Sequence, residues 1–173
     1  MKVVISGSFR KHMEEIIKLK KQLENDGVEI VKPDNIDVVE NPENPEFIKF
    51  KGEENKSEQE LQYQYLVGIE NCDAHIIYNK DGYIGTSALH ELFYGAGTNT
   101  FSKMNNETKQ RAKVYLLERP SIQKLNNAIN NQSEDIKRIY NMILALIKIG
   151  DINIGIEKMY KDFNIKSVED LER

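Results

Sequence analysis

Glu91 stands in the stretch DGYIGTSALHELFYG (residues 81–95), just inside a run that is typical of a helix. On a helix it shares a side with Ser87, Ala88 and Gly95, which lie three or four residues away. These small neighbours leave room above the carboxylate, and a carboxylate in a pocket can act as a nucleophile. The alternative is that Glu91 only complements the helix macrodipole near the N-terminus.

A second group of candidate side chains follows the first apolar run, in the sequence SGSFR (residues 6–10). Gly7 allows close approach of the backbone to a ligand. Ser8 offers a hydroxyl and an N–H at a helix N-terminus, and Arg10 offers a cation that can pair with an anion through two hydrogen bonds. We interpret the segment as an anion or phosphate cradle, with a tight turn capped by Ser8 as the alternative. It is neither a GxGxxG fingerprint nor a Walker loop, so it does not indicate NAD or ATP.

Asp73 lies where a helical pattern changes to a strand pattern. If its side chain points into the same cleft as Glu91, two carboxylates in different environments can cleave a glycosidic bond. Otherwise Asp73 is a turn or capping residue. The three histidines are not spaced as metal ligands, and the single cysteine cannot form an intramolecular disulfide. We therefore expect no metal site and no cofactor.

Size and charge limit the classes of protein to consider. The chain has 173 residues, which favours one domain with a proper core. Its net charge of -4 makes a nucleic-acid polymer an unexpected partner, because such partners usually need a basic face. No apolar stretch approaches the length that spans a bilayer, and the N-terminal residues become charged at once. We expect a cytoplasmic protein without a membrane contact.

The apolar pattern predicts strands and helices in alternation, as in an α/β domain with a mostly parallel sheet. The predicted strands are residues 2–6, 28–31, 73–79 and 113–118, and the predicted helices are 13–27, 57–72, 88–97 and 133–150. Ligands of such sheets bind beyond the C-terminal ends of the strands. Three segments should converge there: residues 6–10, the loop that starts at Lys32, and residues 79–87.

Three regions depart from this alternation. Residues 32–56 hold three prolines and form a long loop, which is typical of a lid, a partner contact or a disordered segment. Residues 98–112 are polar and are predicted to form a loop with at most one helical turn. The helix over 133–150 carries an apolar stripe, and two short helices are expected after it. The sequence SVED at 167–170 resembles a capping box.

The stretches VISGSFR (4–10) and CDAHIIYNKDGYIGTSALHELFYGAG (72–97) together resemble the nucleoside 2-deoxyribosyltransferase superfamily, which includes the 2'-deoxynucleoside 5'-phosphate N-hydrolases. The resemblance covers roughly residues 2–118. It implies a flavodoxin-like three-layer sandwich for residues 1–120. Residues 121–173 are then a helical extension that packs on the same domain or lies at a dimer interface.

The resemblance also implies an activity and a set of site residues. Glu91 matches the nucleophile that attacks the anomeric carbon of a deoxyribosyl group, and Asp73 matches the acid that assists departure of the base. The positions implied in substrate binding are Gly7, Ser8, Phe9, Arg10, Gly85 and Ser87. The implied partners are a small nucleoside or nucleotide and a second copy of the chain in a homodimer. The alternatives are a non-catalytic nucleotide-binding or sensing module on the same fold and a structural protein.

Overall fold

The computed structural model describes the backbone of residues 1–105, 111–125 and 133–167. The strands are β1 (Lys2–Gly7), β2 (Glu29–Lys32), β3 (Val38–Val39), β4 (Lys49–Phe50), β5 (Ala74–Tyr78), β6 (Lys113–Leu116) and β7 (Ile152–Ile154). The helices are α1 (Phe9–Asn25), α2 (Glu58–Glu70), α3 (Thr86–Met104), α4 (Ile122–Leu125), α5 (Ser133–Lys148) and α6 (Ile156–Phe163), with a 3-10 turn at Lys80–Gly82. No helix in the described ranges is long and apolar enough to cross a membrane.

The central sheet has five parallel strands in the order β2-β1-β5-β6-β7. Helices α1 and α6 pack on one face of this sheet, and α2, α3 and α5 pack on the other. The prediction of a flavodoxin-like three-layer α/β sandwich is confirmed. Both faces are covered, which is why β1 reads as an unbroken apolar run and why Val3, Val4 and Ile5 are fully buried.

The first helix has a short N-terminal turn that its apolar pattern did not predict. It begins at Phe9, directly after the turn that ends β1, but the backbone is kinked at His12 (φ -130°, ψ 32°), and the segment after this kink starts at the predicted residue 13. Its C-terminal end agrees with the sequence, because Gly27 adopts φ +80° and the Val28 N–H donates to the Leu23 carbonyl. The turn between β1 and α1 therefore presents the first turn of a helix at the C-terminal edge of the sheet.

The loop predicted over residues 98–112 is wrong for its first part, because α3 continues to Met104. Thr98 donates to the Gly95 carbonyl one turn earlier, and Thr100 Oγ1 lies 3.1 Å from the Ala96 carbonyl and 2.5 Å from the Asp151 carboxylate. The polarity of these residues suggested a loop, but their hydroxyls find partners while the backbone remains helical. Residues 106–110 lie outside the described ranges.

The segment beyond Pro120 adds a strand as well as helices. Of the two short helices expected there, α6 is present, and the chain also forms β7, which pairs in parallel with β6 and forms an edge of the sheet. Three residues are too few for a periodic signal, so the strand forms through its pairing with β6. On α5, Ile143 is fully buried against the same sheet. Of the predicted capping box at 167–170, all but Ser167 lies outside the described residues.

The long loop after β2 packs as a wall beside the first turn. It contains the antiparallel pair β3–β4. Phe50 of β4 is 3% exposed and meets the Phe9 ring edge to face, with 5.2 Å between the ring centres. The loop is followed by a capping box in which Ser57 and Glu60 bond each other's backbone N–H groups at the start of α2. This wall and α2 together close one side of the space above the sheet edge.

Candidate functional site

A cleft of about 450 Å³ lies at the C-terminal ends of the strands. The three segments that the sequence placed there do converge on it, and α2 and α3 complete its lining. Its residues are Gly7, Ser8, Phe9 and Arg10; Asn44, Glu46, Phe47, Ile48, Phe50 and Glu53; Leu61, Gln62 and Tyr65; Tyr83, Gly85, Thr86, Ser87, Ala88 and Glu91. The volume suits a small organic ligand.

The structure brings Glu91 together with all of the predicted substrate-binding positions. The two turns that carry them touch, because a Cβ built on Gly85 would lie 3.5 Å from the Ser8 Cβ. At Gly7 there is no room for a side chain, because a Cβ there would lie 3.0 Å from Ile16 and 3.1 Å from Tyr78. Ser8 is the N-cap residue of α1, its side chain makes no capping hydrogen bond, and the residue lines the cleft.

Arg10 reaches across the mouth of the cleft. Its guanidinium pairs with the Glu46 carboxylate of the long loop at 2.8 Å, and both side chains are largely exposed. An exposed pair of this kind contributes little to stability, typically about 0–1 kcal/mol. An anionic ligand could therefore replace Glu46 as the partner of Arg10 at small cost to the fold.

Glu91 lies in the second turn of α3, which begins at Thr86, and its side chain is 6% exposed. Gln62 of α2 donates to its Oε1 at 2.8 Å, and the Ser6 hydroxyl is its second hydrogen-bond partner. Burial raises the pKa of Glu91 to about 7, while the two hydrogen bonds act in the opposite direction. A carboxylate placed only to complement the helix dipole would gain most in the first turn, in solvent. The burial of Glu91 at the cleft argues against that alternative.

Two further polar groups surround this carboxylate. His75 of β5 is fully buried and its Nε2 lies 2.7 Å from the Ser6 Oγ. Burial lowers the pKa of His75 to about 3, so the ring is neutral near neutral pH. Tyr65 of α2 has a buried hydroxyl with no hydrogen-bond partner. Its pKa is raised by burial and then by the negative charges of Glu91, Glu53 and Asp34.

Asp73 is not part of this cleft, and the prediction that it shares a site with Glu91 is wrong. It directly precedes β5, so it lies at the N-terminal edge of the sheet, whereas the cleft lies at the C-terminal edge. The five residues of β5 separate the two edges by about 16 Å. There the Asp73 carboxylate accepts the Lys2 backbone N–H at 2.7 Å. Its role is to tie the start of β5 to the start of β1.

The second buried carboxylate of the cleft is Glu53, which no pattern in the sequence singled out. It is 7% exposed and accepts the Phe50 backbone N–H through Oε2 at 2.9 Å. It lies just after β4 in a long loop rich in acids, where no local pattern distinguishes it from its neighbours. Gln62 and Tyr65 were also missed, although their spacing of three residues places them on one side of α2.

In the described residues, no group of three or more histidine, cysteine, aspartate or glutamate side chains is arranged to hold a metal ion. The polar groups that line the cleft include buried carboxylates, amide groups, hydroxyl groups and the guanidinium of Arg10, which is paired with Glu46. Comparison of the chain with known protein families, with characterised proteins and with solved structures gives no match.

Proposed function

We propose that the protein cleaves the N-glycosidic bond of a deoxynucleoside or deoxynucleotide, with Glu91 as the nucleophile. The observation that carries the proposal is a carboxylate buried at a cleft, held by Gln62 and Ser6, with a pKa raised to about 7. A carboxylate in this position is partly ionised at neutral pH and poorly solvated, and both properties favour attack on carbon. The likeness of its surrounding sequence to the deoxyribosyltransferases agrees with this role.

The reaction follows from the groups in the cleft. A Glu91 oxygen forms a bond to C1' of the deoxyribose while the bond from C1' to the base nitrogen breaks, and the base leaves with that electron pair. Positive charge develops on the sugar in this step, and the buried carboxylates of a cleft with few cations stabilise it. Water then attacks C1' of the glycosyl ester and releases Glu91. A second base in place of water gives transfer.

The departing base needs a proton, and we assign its delivery to Glu53 as the protonated acid; the carboxylate that this leaves takes a proton back from the attacking water. With Asp73 at the opposite edge of the sheet, Glu53 is the other buried carboxylate that lines the cleft. General acid assistance of this kind typically contributes about 10²–10⁴-fold to the rate. We assign this role to Glu53 in place of Asp73.

A 5'-phosphate or 5'-hydroxyl fits the turn that joins β1 to α1. Ser8, Phe9 and Arg10, at the start of α1, line the cleft, and backbone N–H groups at the start of a helix favour an anion. A phosphate would take Arg10 from Glu46, whose pair with it is exposed. The long loop beside this turn adds Phe47, Ile48 and Phe50 to the cleft lining, and aromatic and apolar groups of this kind suit the face of a base.

Release of free base from a panel of deoxynucleosides and their 5'-monophosphates tests the proposal. We expect turnover by the parent protein and a loss of at least about 10³-fold for Glu91→Gln, because the substitution removes the nucleophile. Glu60→Gln, on the exposed first turn of α2, is the matched control and should keep parental activity. Activity of Glu91→Gln within about tenfold of the parent would refute the assignment. Saturable binding of a panel member by the parent without any turnover would favour a nucleotide-binding module instead.

A further inference from the structure

Ser6 and His75 lie beneath Glu91 on the sheet. Ser6 and His75 are both fully buried, and both face the helical layer that contains α3. Val4, which lies two residues before Ser6 on β1 and pairs with His75 of β5, faces the same layer. His75 pairs with Val4 across the two strands, so its ring reaches forward along the strands to bring Nε2 within 2.7 Å of the Ser6 Oγ. The Ser6 hydroxyl is in turn a partner of the Glu91 carboxylate. A chain of three side chains thus runs from the core to the floor of the cleft.

The direction of the hydrogen bonds in this chain follows from the number of protons available. An ionised carboxylate can only accept, so the Ser6 hydroxyl must give its single hydrogen to Glu91. The Ser6 oxygen can then only accept from His75, which places the imidazole hydrogen on Nε2. The other ring nitrogen, Nδ1, is buried without a partner. An unpartnered lone pair there agrees with this tautomer, since a buried N–H donor without an acceptor is rarer.

Helix α3 is built to leave room for this ring. Gly95 lies one turn after Glu91, and a Cβ added to it would meet His75 Nδ1 at 3.0 Å and Val114 at 3.2 Å. The glycine therefore lets the helix backbone lie directly over the imidazole. The neutral ring is locked in place by packing, which is the property that a positioning group needs.

We propose that Ser6 and His75 are positioning residues for Glu91: His75 donates from Nε2 to the Ser6 hydroxyl, and Ser6 donates to the carboxylate, which fixes its orientation and favours its ionised form. The contact between Ser6 and His75 stands on its 2.7 Å geometry, the direction of donation holds for the ionised form of Glu91, and the effect on turnover rests on the function proposed above. Because hydrogen bonds in a chain polarise one another, His75 should make Ser6 a stronger donor.

Other groups near Glu91 also influence its ionisation, besides Ser6 and His75. Tyr65 and Gln62 approach it from α2, and Glu53 lies across the cleft on the long loop. At the mouth, Arg10 and Glu46 are paired with each other. The substitutions that test the chain leave each of these groups in place.

The test measures ionisation of Glu91 directly, by NMR titration of protein labelled with ¹³C at the glutamate carboxyl, with Glu91→Gln used to assign the signal. We expect Ser6→Ala to lower the acid dissociation constant of Glu91 by about tenfold, because a hydrogen bond to the charged form is lost. His75→Leu should act in the same direction with a smaller effect, and His75→Gln, which keeps a donor, should restore most of it. Ser102→Ala, at a buried serine of α3 outside the cleft, is the control for which no change is expected.

A double substitution separates a positioning chain from a general effect on packing. If His75 acts through Ser6, His75→Leu should have no effect on the Glu91 titration once Ser6 is alanine. An unchanged titration in Ser6→Ala, or an equal effect of His75→Leu in both backgrounds, would overturn the proposal. Thermal unfolding of each variant verifies that it is folded, and Ser6→Ala removes only one oxygen atom.

The kinetic counterpart distinguishes failure of this inference from failure of the proposed function. The acidic limb of the kcat/KM profile should move to higher pH in Ser6→Ala by the same amount as the NMR titration. A moved NMR titration with an active Glu91→Gln variant would leave the chain in place and refute the nucleophile. An inactive Glu91→Gln variant with an unmoved titration in Ser6→Ala would do the reverse.

Discussion

Replacement of Glu91 by glutamine should make the protein more stable at neutral pH, and the gain can be worked out from the burial of the carboxylate. Burial raises its pKa from 4.5 to about 7, and each unit corresponds to about 1.36 kcal/mol. The native state thus holds the proton more tightly than the unfolded chain does. The stability that this group contributes is present below pH 4.5 and is lost as the pH rises through 7. The total loss is about 3 kcal/mol.

Glutamine does not titrate, so the difference in stability between Glu91→Gln and the parent isolates this contribution. Urea unfolding at a series of pH values from 4 to 8 gives the free energy of unfolding of both proteins. We expect the difference to move in favour of Glu91→Gln by about 3 kcal/mol across this range. All other titrating groups are shared, and their effects cancel.

Glu60→Gln provides a control with the opposite sign. Hydrogen bonds from Ser57 lower the pKa of Glu60, so its contribution is present above the unfolded pKa and is lost as the pH falls. A pH-independent difference between Glu91→Gln and the parent would refute the reasoning. A difference that moves in favour of the parent as the pH rises would also refute it, because it would mean that the site stabilises the charged form of Glu91.

The remaining predictions concern the ligand and the assembly. Arg10→Ala should weaken binding of a nucleoside 5'-monophosphate by about tenfold or more and spare the matching nucleoside, as isothermal calorimetry can measure; equal losses would reject a phosphate role. Glu46→Gln should strengthen monophosphate binding, because it frees Arg10 from its partner; unchanged affinity would show that the pair does not compete with the ligand. Glu53→Gln should lower kcat for release of a poor leaving base by about 10²-fold or more, and should affect an activated base much less; equal losses would assign Glu53 to binding. Light scattering over a dilution series should give the mass of a homodimer. A folded monomer at micromolar concentration would contradict the homodimer that the resemblance implies.

The alternation of strands and helices could be predicted because it is recorded within short segments. The unbroken apolar run of β1 and the glycine that ends α1 are local signals, and both have the predicted outcome. The rule that ligands bind beyond the C-terminal ends of parallel strands then placed the first turn, the long loop and the turn before α3 together. Their convergence around Glu91 follows from strand direction alone.

The same rule shows why the prediction for Asp73 failed. A residue that precedes its strand lies at the opposite edge of a parallel sheet from residues that follow theirs. Asp73 precedes β5 and therefore lies far from Glu91, which α3 carries at the other edge. The residue pattern and the sequence resemblance both gave a residue type and an approximate position without the side of the sheet.

Contacts between distant segments were decided only by the tertiary structure. Glu53 belongs to a loop without periodicity, and its burial depends on the packing of Phe50 against Phe9, more than forty residues away in the chain. Likewise β7 is too short to be recognised alone and exists through its pairing with β6. A sequence records the preferences of each segment for helix, strand or turn, but the free energy that fixes a loop or an edge strand comes from long-range burial and hydrogen bonds. Those terms appear only when the chain is packed.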